Sequence, residues 1–141
     1  MEIQGKWEGY YEYGLGYSLP HFGERIKMQL SIRGDAEEFE GEIEEEPSEF
    51  SVPHTSTLTG FCEESFISFV KTYPISPSID EEEATDLVEE KGKLEVVYEG
   101  ALDEKNKAMY GNWTIIESLK DERGMLHEFA IGGIWLLRKV S

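Results

Sequence analysis

The chain has 141 residues, 39% hydrophobic and 30% charged, which excludes a disordered chain and predicts one domain over residues 1–141 with a core that needs no cross-links. Thirteen Lys and Arg stand against 30 Asp and Glu, and the formal charge of −17 excludes nucleic acid and anionic membrane surfaces as partners, because phosphate binding needs clustered cations. Cys62 is alone and cannot form an internal disulfide, "MEIQGKW" has no signal-peptide pattern, and no apolar run nears the roughly 20 residues of a membrane span, which together predict a cytoplasmic protein.

Alternation of period two runs through the chain. The first segment, "GKWEGYYEY", places Trp7, Gly9, Tyr11 and Tyr13 on one face and Lys6, Glu8, Tyr10 and Glu12 on the other. The charged face is wet, so three rings point inward. In "RIKMQLSIR" the residues Ile26, Met28, Leu30 and Ile32 share the inner face of a half-buried strand. "GDAE" then reads as a hairpin turn, and "EFEGEIEEE" turns Phe39, Gly41 and Ile43 inward and Glu38, Glu40, Glu42 and Glu44 outward. "EPSEFSVPH", with two prolines, is a loop.

"STLTGFCE" and "SFISFVKTY" pair around a polar turn near Glu63 and Glu64. In the second of these, Ile67, Phe69, Lys71 and Tyr73 share one face and Phe66, Ser68, Val70 and Thr72 the other, and aromatic residues on both leave the phase open. If the first set is interior, Lys71 must be matched by a carboxylate or an anionic ligand; if not, its stem lies along outer apolar surface. Residues 74–92 fit either a short helix over one barrel end, with Ser78 and Glu81 as a capping box, or an acidic loop; in both cases 78–91 is a candidate lid. "KLEVVYEGAL", "AMYGNWTIIE" and "HEFAIGGIWLLRKV" complete about eight strands, and Tyr98 shares an inward face with Leu94 and Val96. Eight antiparallel strands with short links predict an all-β, up-and-down barrel, a size that is either filled by side chains or holds one small ligand.

Tyrosine is a costly filling for a sealed core, because each buried hydroxyl needs a partner, and a cavity holding water or a polar ligand supplies one. The tryptophans repeat one spacing: "GKW" at 5–7, "GNW" at 111–113 and "GIW" at 133–135. With Gly5 and Trp7 on the first strand of an eight-strand pattern, the chain resembles the lipocalin-like, or calycin, superfamily of small β-barrels. That resemblance implies that Trp7 closes one barrel end, with Trp135 nearby and an arginine from the last strand over the indole, for which Arg138 in "WLLRKV" is the matching position. The alternation that turns Trp135 and Leu137 inward sends Arg138 outward unless the strand is bulged.

The reading that follows is binding of a small, mostly apolar ligand, with Trp7, Tyr11, Tyr13, Met28, Tyr73, Tyr98 and Trp113 as lining and Lys71 as anion anchor. One rival is a filled barrel acting as an interaction module, for which a homo-oligomer stays open. Another is a barrel enzyme using interior Tyr and Glu groups. No catalytic fingerprint or metal-ligand spacing is present, and His21, His54 and His127 are scattered. Haem-binding barrels of similar opening use a histidine near the chain end, which would be His127, but the bland reading of a solvated histidine is preferred and no cofactor is expected. The acidic runs "EIEEE" and "DEEEATDLVEE" lack the offsets of a calcium loop and read as solvated surface.

Overall fold

A computed structural model describes residues 2–49, 51, 55–73, 94–120 and 122–141. Its strands are β1 (Gly5–Tyr13), β2 (Arg25–Gly34), β3 (Phe39–Glu45), β4 (Ser56–Glu63), β5 (Phe66–Tyr73), β6 (Leu94–Asp103), β7 (Ala108–Lys120) and β8 (Leu126–Lys139). Each pairs antiparallel with its neighbours in the chain, and β1 pairs with β8 to close the barrel. The expected fold class is therefore what the chain adopts. No helix occurs among the described residues, and none there is long and apolar enough to cross a membrane. The candidate lid at 78–91 lies outside them.

Local chemistry explains the turns. Gly34 takes a φ of 113°, which a side chain would oppose, and Asp35 Oδ1 accepts the Glu37 and Glu38 amides at 3.0 and 3.1 Å. Between β6 and β7, Asp103 Oδ1 accepts the Asn106 amide at 3.1 Å.

The interior follows the alternation. On β2, Ile26, Met28, Leu30 and Ile32 are all buried while their neighbours are exposed. The phase of β5 is settled the same way: Ile67, Phe69, Lys71 and Tyr73 face inward. Two of the G-x-W repeats form a reciprocal pair across β7 and β8, where Gly111 stands opposite Trp135 and Gly133 opposite Trp113. A Cβ at Gly133 would collide with the Glu12 carbonyl and sit 2.7 Å from the Trp113 indole nitrogen. The glycine leaves room for the ring across from it and for the neighbouring backbone.

Trp7 is fully buried at the end of the barrel where β1 begins, and its indole N–H donates to the Ile3 carbonyl at 2.9 Å. Arg138 corrects one expectation. It stands exposed on the outer wall, in register with Glu8 and Ala108, and makes no contact over the Trp7 ring. The unbulged strand gives its inward positions to Trp135 and Leu137 instead. Cation–π contact does occur outside, with the Arg25 guanidinium 4.4 Å from the Tyr10 ring centroid and its Nε 3.0 Å from Glu12 Oε1.

Candidate functional site

The opposite end of the barrel is built differently. Continuing the phase of Phe39, Gly41 and Ile43 by two residues carries the last position of β3, Glu45, to the inner face, and its side chain is wholly shielded from solvent. Lys71 of β5, equally buried, donates to Glu45 Oε2 at 2.8 Å. Tyr73 donates its hydroxyl to the same oxygen at 2.6 Å, and Tyr11 of β1 donates to Oε1 at 2.7 Å. Three strands thus converge on one carboxylate, whose two oxygens accept three donors. The Lys71 ammonium also faces rings: its Nζ lies 4.6 Å from the Tyr11 centroid, 4.7 Å from that of Tyr73 and 5.9 Å from that of Tyr98. Oriented rings supply part of what water would supply to the charge.

Burial governs the titration of this cluster. Desolvation pushes Lys71 below the ordinary lysine range, and Glu45 pulls against it. Tyr11, Tyr73 and Tyr98 are held protonated far above the usual phenol range, first by burial and then by neighbouring hydroxyls and the Glu45 charge. Tyr13 is raised as well, again mainly by burial.

Beside the cluster lies a cavity of about 60 Å³ lined by Tyr11, Tyr13, Tyr17, Tyr73, Tyr98 and Trp113 together with Leu94, Val96 and Ile115. Along β6 the order Leu94, Val96, Tyr98 runs from the strand's beginning inward. Edge-on contacts fix the rings: Tyr11 to Trp113 at 5.8 Å, Tyr13 to Trp113 at 5.9 Å and Tyr13 to Tyr17 at 4.8 Å. Trp113 is tied in place by donating its indole N–H to the Glu12 carbonyl at 3.1 Å. Tyr98 is held from below, stacked on Phe69 at 4.8 Å and edge-on to Trp135 at 5.6 Å. Its hydroxyl has no hydrogen-bond partner among the described residues, although the residue is only 1% exposed. Such a group is costly to bury unless something in the cavity meets it.

Of the residues singled out in the sequence, Tyr11, Tyr13, Tyr73, Tyr98 and Trp113 come together around this space. Lys71 lies next to it without lining it, already paired with Glu45. Met28 is buried on β2 opposite Glu45, outside the lining. Trp7 is at the other end, and His127 is exposed on β8 in register with Leu119. Sequence reasoning missed Glu45 and Tyr17. Strand phase held the signal for Glu45. Tyr17 sits between β1 and β2 in a connection with no periodicity to read, and it reaches the cavity by stacking on His21, with centroids 6.2 Å apart.

A larger concavity of about 600 Å³ crosses the outer wall of β1 to β3, edged by Glu8, Tyr10, Lys27, Gln29, Glu44 and Glu46. Its walls are the solvated strand faces, and the convergent chemistry is inside. Comparisons with family models, curated proteins and solved structures found no match to this chain.

Proposed function

We propose that this protein binds a small, mostly apolar molecule in the ring-lined cavity at the Glu45 end of a barrel of calycin type. The observation that carries the reading is a buried ionic and phenolic cluster set directly beside an unfilled space. A barrel that only had to be stable would gain nothing from it, because well-packed apolar residues in place of a buried ion pair are often as stable or more so. Leu94, Val96, Ile115 and the rings supply apolar contact, and the hydroxyls orient the guest. The carboxylate already satisfies Lys71, which argues against the lysine as an anchor for anions. The protein's acidity supports a partner other than nucleic acid or membrane, and the chain's lone cysteine agrees with a cytoplasmic setting.

Native mass spectrometry of protein taken gently from cells tests the reading. A bound small molecule appears as added mass, and Val96→Phe, which fills the cavity from β6, removes it while the fold persists. If the wild type carries no guest and also shows no saturable uptake of small apolar probes followed by tryptophan emission, the reading fails.

A second reading, an interaction module, is favoured by one observation. Tyr10, Leu136, Tyr110, Ala101 and Phe66 stand in register across five strands on the outer wall, with Tyr110 48% and Phe66 42% exposed. This uncharged row crosses an otherwise acidic surface. Sedimentation velocity supports this reading if wild type self-associates and Tyr110→Glu abolishes it.

A further inference from the structure

The cavity's chemistry narrows the class of guest, and the inference rests on the binding reading above. Size comes first. A dry cavity of about 150 Å³ is what a benzene-sized guest needs, and about 60 Å³ is less than half of that. The space therefore takes a group of a few heavy atoms, with the rest of the guest extending past Val96 and Leu94.

Charge comes next. The walls are ring edges and faces, the nearest fixed cation is neutralised by Glu45 at 2.8 Å, and the whole protein carries −17. A carboxylate or phosphate entering here would meet no free cation and would be repelled on approach. The protein already displays how it accommodates the opposite charge: the Lys71 ammonium is held against the Tyr11, Tyr73 and Tyr98 rings with one carboxylate contact. Three of the cavity's own rings are the ones that cradle it.

The last piece is the Tyr98 hydroxyl, buried, facing the cavity and without a partner among the described residues. Its lone pairs can accept an N–H. We infer that the cavity receives the protonated amino group of a small alkyl- or arylammonium ion, with Tyr98 accepting one N–H, the Tyr13, Tyr17 and Trp113 rings around the charge, and the apolar tail against Leu94, Val96 and Ile115. The guest is amphiphilic: mostly apolar, with a cationic head.

The test uses n-butylammonium and its neutral isostere butan-1-ol, titrated against the intact protein by calorimetry. Saturable one-to-one binding of n-butylammonium, about tenfold or more tighter than butan-1-ol, is expected, since hydrogen bonds to charged groups outweigh neutral ones. Tyr98→Phe loses about that factor for the amine, leaves butan-1-ol little changed and does not lower the unfolding midpoint, because it removes a hydroxyl that lacked a partner. Butan-1-ol binding as tightly as the amine, with Val96→Phe abolishing both, overturns the charge assignment and leaves the cavity reading standing. Failure of both probes to bind overturns both. Amine binding that survives Val96→Phe or Tyr98→Phe unchanged places the site elsewhere and overturns the inference.

Discussion

The two ends of this barrel solve the same packing problem with different materials. At the Trp7 end the interior is closed by an indole whose one polar atom is satisfied by the Ile3 carbonyl, and Ile32, Phe39, Ile67, Met109 and Leu137 are all buried toward that half. At the other end a carboxylate, an ammonium and two phenols are buried together, and space is left beside them. Every group at the first end stabilises by removing apolar surface from water. The second end retains charges whose desolvation offsets much of their attraction. Polar chemistry concentrated where the packing is incomplete marks that end as the one built for something besides folding.

The sharpest test of this contrast is a pair of single substitutions at each end. Lys71→Met leaves Glu45 buried without its counter-charge and is expected to cost about 3–5 kcal/mol, and Trp7→Ala, which opens a large void, about 3–5 kcal/mol. The ends part company on rescue. Adding Glu45→Leu to Lys71→Met recovers most of the loss in urea unfolding, whereas no second change restores the Trp7 site. If the double variant at the Glu45 end is no better than the single, the pair is not a self-contained unit.

Small-to-large changes probe packing on the same axis. Ile67→Phe, in the filled half, is expected to lower stability by about 1–3 kcal/mol through overpacking. Val96→Phe enters existing space and changes the unfolding midpoint far less. Equal losses at the two positions would mean that the cavity does not yield to a guest.

Alkaline titration separates the ends by their phenols. Tyr11, Tyr13, Tyr73 and Tyr98 have folded-state pKa values raised above those of the unfolded chain. Their contribution to stability is therefore fully present below about pH 10 and is lost as pH climbs past it. Lys71, lowered in the fold, acts in the opposite sense but only below its unfolded value of about 10.4. Above that pH stability can only fall, and phenolate absorbance from these four tyrosines should rise together with unfolding rather than before it. The smallest effect belongs to the outer wall: Arg33→Ala breaks a solvated contact with Glu42 and leaves the unfolding midpoint almost unmoved.

Strand count, antiparallel order and the inward faces were legible in the sequence because period-two alternation is strong wherever one face is wet, as in Arg25–Gly34. The ring-rich face of β1 was legible for the same reason. Glu45 was hidden by its neighbours: in "EIEEE" a run of glutamates looks uniformly solvated, and only the phase set by Ile43 tells the third from the second. Lys71 was ambiguous because apolar residues occupy both faces of β5, so its side depended on the partner across the barrel. Arg138 shows the limit of transferring a family's contact by position, since strand phase outweighed the resemblance.

Seven of the eight strand pairings join segments adjacent in the chain, and the eighth, Trp7–Tyr13 against Gly133–Lys139, joins segments more than a hundred residues apart. Tyr11 and Tyr13 hang on one side of that seam and Trp113 reaches across it to the Glu12 carbonyl. The binding chamber is consequently a property of the finished ring rather than of any hairpin. A chain that has zipped every local pair but not yet joined its first strand to its last has no chamber to offer, so a guest rewards only completion.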